Sequence, residues 1–237
     1  MSKVIVPVSG GIDSSVVLKI AEAAGHEIHA ISYNYGQRHD KELACAGIQT
    51  ANTPCATHQY INLSFLRDIA PTSSLTCTDI DVAKTKDVLG DPQTVNYVPN
   101  RNMMLLSICT AYAEAVSASI VYHGAALVDS QAGFWDGSKE FLEAINNIND
   151  LNRKCRVQVQ APLISLSKKE IIEKGINMGV SFIDTWTCYE GKEEACGECT
   201  ACSSRIKGFM DAGYIDPVRY SVPIPWAKYR CEEIPCH

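Results

Sequence analysis

The 237-residue chain has no surplus of positive charge: 21 Lys and Arg stand against 27 Asp and Glu, a formal net charge of −6. A surface of that sign does not attract a phosphate backbone, so direct nucleic-acid binding is not expected. No apolar run approaches the roughly 20 residues that span a bilayer, so no membrane partner is expected either. The opening MSKVIVPVSGG turns to glycine after a short apolar run, unlike a secretory leader, and a cytoplasmic location is expected. Internal repeats and low-complexity tracts are missing as well. Cysteine, by contrast, is abundant at 11 residues. An odd count in a reducing compartment argues against a disulfide framework and towards metal ligation. The hydrophobic share of 46% is ample for a core, and the length suits one large domain or one domain with an appendage.

The hydrophobic pattern alternates between strand and helix. Strands are expected at Val4–Val8, Glu27–Tyr33, Gln59–Leu63, Ser119–His123 and Arg156–Gln160. Helices are expected at Ser14–Ala24, Lys41–Asn52, Asn102–Ser117 and Lys139–Leu151. A further helix should open at the capping box Ser167-Lys168-Lys169-Glu170 and run to Met178. Residues 67–98 read as one long polar loop, the kind that covers a site or stays partly ordered. Such alternation implies an α/β fold with a doubly wound parallel sheet. In such sheets ligands bind beyond the carboxyl ends of the strands, so the loops after Val8, Tyr33, His123 and Gln160 should line one mouth. Two parts are expected: the α/β domain over residues 1–180, and a C-terminal helical appendage with its tail over 181–237.

The first of those loops reads Ser9-Gly10-Gly11-Ile12-Asp13-Ser14-Ser15, between a strand and a helix. Main-chain N–H groups after Gly10 and Gly11 can form an anion nest at the helix start, with Ser9, Ser14 and Ser15 adding hydroxyls. The Gly-Lys-Ser/Thr ending of a Walker loop is lacking. Asp13 would repel a bare phosphate but could hold a Mg²⁺ bridging phosphate oxygens. After the second strand come Tyr35-Gly36-Gln37-Arg38-His39 and Glu42, a set able to read a planar polar ligand and its carboxylate. Late in the chain Cys188, Cys196, Cys199 and Cys202 stand at spacing C-x7-C-x2-C-x2-C. Four thiolates close a tetrahedral Zn²⁺ site, leaving no open position for catalysis; an iron–sulfur cluster is the competing occupant. Arg205 could turn towards substrate or towards the metal's charge. The remaining cysteines read as packing residues, and Cys231, Cys236 and His237 as part of a partly ordered tail.

SGGIDSS resembles the signature of the PP-loop ATP pyrophosphatases, whose adenine nucleotide α-hydrolase-like, Rossmann-like fold the resemblance implies here. Within that group YGQRH, Ser73-Ser74-Leu75-Thr76, Val98-Pro99-Asn100-Arg101-Asn102, Pro162-Leu163 and the cysteine set resemble the 7-cyano-7-deazaguanine synthases. The resemblance covers Lys3 to about Phe209. It implies attack of a substrate oxygen on the α-phosphate of ATP, the loop from Ser9 to Ser15 gripping the pyrophosphate that leaves. The implied reaction joins 7-carboxy-7-deazaguanine and ammonia into 7-cyano-7-deazaguanine, with ATP, Mg²⁺ and Zn²⁺, in a homodimer. By the same resemblance Asp13, Arg38, His39, Arg101 and Lys168 are the candidate catalytic residues. Tyr35, Gln37, Arg38, Asn102 and Asp136 are the candidate substrate contacts. One segment departs: the synthases read Tyr-Pro-Asp-Cys-Arg where this chain has Phe134-Trp135-Asp136-Gly137-Ser138. Asp136 is retained, and Gly137 and Ser138 replace the Cys and Arg. That change admits a relative that forms the same adenylate but passes it to another amine.

Overall fold

A computed structural model describes residues 2–38, 40–87, 95–127 and 134–235, apart from the side chains of residues 40 and 87. Five strands, β1 (Lys3–Pro7), β2 (Glu27–Asn34), β3 (Cys55–Asn62), β4 (Ile120–Tyr122) and β5 (Gln158–Gln160), form one parallel sheet in the order β3-β2-β1-β4-β5. The central strand explains why its sequence is an unbroken apolar run. Val4, Ile5 and Val6 are all fully buried, with Val4 and Val6 facing one core and Ile5 the other. Each such side chain contributes about 1.5–3 kcal/mol by leaving water, so a polar residue here would cost the fold heavily.

Helices α1 (Ile12–Ala23) and α2 (Asp40–Ala51) connect β1 to β2 and β2 to β3. After the short α3 (Leu66–Ile69), α4 (Arg101–Val116) carries the chain across to β4, and α5 (Lys139–Asn149) leads to β5. The core on one face is built from α1, α6 (Lys168–Asn177) and α7 (Thr200–Ala212); the opposite core is built from α4 and α5. The sheet is doubly wound, as the alternation of elements implies. The order reverses between β1 and β4, so the crevice at their carboxyl ends is the switch point where such sheets bind ligands.

The element boundaries show where local signals were sufficient. The capping box at Ser167 is complete: its hydroxyl accepts from the Glu170 N–H, and the Glu170 carboxylate accepts from the Ser167 N–H at 2.8 Å. β3 begins at Cys55, four residues before the expected start, because Cys55, Thr57 and His58 pair with β2 along an exposed sheet edge, the register shifting past Ala56. Residues 67–87 and 95–98 are folded down, with Ser73, Ser74 and Thr76 buried. Ser74 donates to Asn96 Oδ1 at 2.7 Å, and Thr76 to the Ala70 carbonyl at 2.9 Å. The tail is placed through residue 235, anchored by reciprocal main-chain bonds from Ile215 to Glu232 and from Glu232 to Gly213. No helix among the described residues is long and apolar enough to cross a membrane.

Candidate functional site

The loop after β1 turns at Gly10, whose φ of +91° lies in the region glycine favours. The reason for glycine is packing as much as conformation. A β-carbon there would lie 2.0 Å from the Glu42 carbonyl oxygen and 2.9 Å from the Ala46 nitrogen of α2. The Gly10 carbonyl accepts from the Trp186 N–H at 2.9 Å and from Gln49 Nε2 at 3.2 Å. Gly11 is the N-cap of α1 and supplies no side-chain cap, so the helix's first-turn N–H groups remain available to an anion. Ser9 and Ser14 hydroxyls lie 3.1 Å apart beside them. Ser15 is turned inwards instead: it is buried, and its hydroxyl sits 2.6 Å from both the Gly11 carbonyl and Gln49 Oε1.

Asp13, in the first turn of α1, meets Lys168, the first residue of α6, with Nζ 2.7 Å from each carboxylate oxygen. The sheet topology thus brings two of the sequence-derived candidates to the edge of the glycine loop. A second group gathers around Arg101 at the start of α4, whose N-cap, Asn100, supplies no side-chain cap. Arg101 Nη1 donates to the Tyr35 hydroxyl at 3.3 Å, and its guanidinium carbon lies 5.5 Å from the Tyr35 ring centre. Burial opposes the Arg101 charge, yet Tyr35, Tyr189, Asp136 and Glu42 around it hold its pKa above the usual value. Burial raises the Asp136 carboxyl and Arg101 opposes that rise. His123, immediately after β4, is pushed by burial down to about 4, with Arg101 adding to the effect. Asn102 stands half-buried in the same first turn of α4.

Two candidates are committed to the scaffold. Gln37 Oε1 accepts from the Tyr35 N–H at 2.8 Å and its Nε2 donates to the Tyr33 carbonyl at 3.1 Å, bracing the turn after β2. Arg38 Nη2 donates to the carbonyls of Cys77 and Ile80 at 2.9 and 2.6 Å, which holds the polar loop against β2's end; its Nε is buried and has no partner among the described residues. His39 lies outside the described residues.

The Sγ atoms of Cys188, Cys196, Cys199 and Cys202 all lie within 4.8 Å of one another. Main-chain N–H groups of Cys196, Glu198, Cys199 and Cys202 point at these sulfurs at 3.3–3.4 Å, an arrangement that favours thiolates. Four converging thiolates with that second layer fit a tetrahedral metal. Arg205 turns to neither substrate nor metal. It forms a bidentate, buried pair with Asp216 at 2.6 and 2.9 Å, and its Nη1 reaches the Thr185 hydroxyl at 2.8 Å. Its fork matches a carboxylate better than it would serve a distant charge.

Residues 3–213 match the family model described as Queuosine biosynthesis protein QueC. The chain belongs to that family. It is 37% identical to a 7-cyano-7-deazaguanine synthase from Oceanobacillus iheyensis over 92% of this chain and 98% of that one. It is 40% identical to 7-cyano-7-deazaguanine synthase 1 of Colwellia psychrerythraea, with the same coverage, and 38% identical to a synthase of Thermoplasma volcanium over 92% and 91%.

Against this family background the departing segment has a local explanation. Ser138 is the N-cap of α5, its hydroxyl accepting from the Phe141 N–H at 3.0 Å, and Gly137 is buried in a short 3-10 turn. Trp135 packs edge-on to Phe141 at 5.3 Å and donates to the Tyr97 hydroxyl at 3.0 Å. Sequence reading missed His123, Tyr189, Trp186 and Gln49 as neighbours of the candidate site. Only His123 carried a signal, as the last residue before glycine at the end of a strand.

Proposed function

We propose that the chain is an ATP-dependent carbon–nitrogen ligase that converts 7-carboxy-7-deazaguanine and ammonia to 7-cyano-7-deazaguanine. The observation that carries this reading is its likeness, over 92–93% of the chain, to proteins named 7-cyano-7-deazaguanine synthase, at 37–40% identity. The uncapped glycine loop is the chemical counterpart: it can receive pyrophosphate and offers no Walker lysine for γ-phosphoryl transfer.

Hydroxide is a poor leaving group, so each loss of an oxygen needs prior activation. The substrate carboxylate attacks the α-phosphorus of ATP, and the bond to pyrophosphate breaks. First-turn N–H groups of α1, with Ser9 and Ser14, hold the departing charge. Lys168 supplies a point charge at the same edge. Ammonia attacks the acyl carbon, loses a proton and expels AMP, leaving the amide. The amide oxygen attacks the α-phosphorus of a second ATP and pyrophosphate leaves; loss of AMP and of both nitrogen protons then leaves the nitrile. Asp13 would hold Mg²⁺, which neutralises phosphate charge when bound. Arg101, Asn102, Tyr35 and Asp136 would face the base, and Arg38 would offer the Nε that has no partner among the described residues. The four cysteines would hold Zn²⁺ in a structural role.

On this reading residues 1–180 carry the chemistry and residues 181–237 the thiolate site; the active form is a homodimer in the cytoplasm. The test is AMP release by the purified protein with ATP, Mg²⁺ and ammonium. AMP should appear only when 7-carboxy-7-deazaguanine is added, and AMP release independent of that base would contradict the reading.

A further inference from the structure

His123 is the first residue past β4, and its N–H extends the sheet by donating to the Gln160 carbonyl at 2.7 Å. Along β4, Val121 packs into the α4–α5 core and Tyr122 into the opposite one. Alternation therefore turns His123 to the side of Val121, where Arg101 stands. Its neighbour Gly124 lies against the glycine loop: a β-carbon there would be 3.8 Å from the Ser14 nitrogen and 3.9 Å from Asp13 Cβ. His123 thus belongs to the switch-point crevice and borders both groups of candidate residues.

The main chain of Asp136 acts on the imidazole in the sense that favours a ring proton, as a carbonyl facing a ring N–H does. Nε2 is buried and has no partner among the described residues, which makes Nδ1–H the donor and leaves a lone pair on Nε2. A buried acceptor left unmet costs about 1–3 kcal/mol, and native proteins seldom keep one without a use. The missing partner must carry an N–H or O–H. Phosphate oxygens and an ionised carboxylate offer acceptors only. Adenine offers one amine beside a ring acceptor. A guanine-like edge offers two neighbouring donors, the ring N–H and the exocyclic amine, which suits an imidazole lone pair next to the Asp136 carboxylate.

We propose that His123 Nε2 accepts a hydrogen bond from an N–H on the guanine-like edge of the deazapurine base, making it a specificity-determining residue. This rests on the deazapurine reading above. Titration calorimetry with 7-carboxy-7-deazaguanine, and separately with ATP, tests it in the full-length protein. His123→Leu should weaken base binding at least about tenfold, roughly one buried hydrogen bond, while changing ATP binding less than about twofold. His123→Gln returns an acceptor near the Nε2 position and should recover most of the loss. If the leucine variant does not fold, His123→Asn, whose shorter amide falls short of that position, takes its place. Unchanged base affinity, or an equal loss for ATP, overturns the proposal. A wild-type chain that binds ATP but not the base would overturn the underlying reading instead.

Discussion

Lys168 Nζ sits 2.7 Å from both carboxylate oxygens of Asp13, joining the first turn of α6 to the first turn of α1. A lysine at a helix N-terminus opposes the helix dipole, so Lys168 is not there to stabilise its own helix. α7 makes room for it: a β-carbon at Gly208 would lie 2.4 Å from Lys168 Cγ. The pair is poised at the glycine loop, where an arriving phosphate would take Lys168 and a divalent ion Asp13. Lys168→Ala is expected to lower kcat about 10²–10³-fold, the scale of losing one charged stabiliser. Because the pair is partly exposed, the variant should lose only about 1 kcal/mol of stability. Steady-state kinetics and thermal melts of the same preparation separate the two.

The two glycines of the loop should respond differently. Gly10→Ala forces a β-carbon into the α2 backbone at positive φ and should cost several kcal/mol, read as a large fall in melting temperature. At Gly11 the nearest atom to a new β-carbon is Ser9 Oγ at 3.4 Å and φ is −82°. Gly11→Ala should fold normally, and calorimetry should show its effect confined to nucleotide binding.

The thiolate site is tied to the phosphate loop through Trp186. Its main-chain N–H bonds the Gly10 carbonyl at 2.9 Å, its indole N–H bonds the Cys188 carbonyl at 3.0 Å, and Lys41 lies 3.9 Å over its ring. Stripping the metal should therefore weaken ATP binding as well as lower the melting temperature. By linkage, saturating ATP should slow metal loss to a chelator. Elemental analysis should find one metal per chain, and chelation that leaves the ATP affinity unchanged would contradict the coupling.

Ser138 stands where the family pattern has arginine, and its role as N-cap of α5 is independent of substrate. Ser138→Ala should cost about 0.5–2 kcal/mol in denaturant unfolding with little change in KM for the base. A change in KM without loss of stability would instead assign Ser138 to the substrate site.

Burial, with Arg101 adding to it, pushes the His123 imidazole down to about 4, which should make stability pH-dependent. Above about pH 6.5 the imidazole is neutral in both states and contributes no dependence. As pH falls from there to about 4 the unfolded chain takes up the proton first, so stability drops, by at most about 3 kcal/mol from this group. The raised Asp136 carboxyl works in the opposite direction. Unfolding curves from pH 7 to 4 should be shallower in His123→Leu than in the wild type.

Much of this was legible in the sequence because the signals are local. The unbroken Val4–Val8 run, the Ser167 capping box and the cysteine spacing each encode their structure within a few residues. What was not legible depends on contacts between distant segments. Gln37 and Arg38 sit in the motif that suggested substrate recognition, yet their partners are the β2 turn and the Cys77–Ile80 carbonyls. Arg205 likewise found Asp216, eleven residues on, through a return of the chain that no periodicity announces. For His123 the sequence signal gave a place at the end of a strand, whereas an Nε2 with no partner among the described residues is a property of packing rather than of pattern.

The central claim is tested most directly by mass spectrometry of the base after incubation with ATP, Mg²⁺, ammonium and the purified protein. The account predicts conversion of 7-carboxy-7-deazaguanine to the nitrile with two AMP released per nitrile. An accumulating adenylate or amide without nitrile, or a mass gain on a protein or nucleic-acid acceptor, would contradict it.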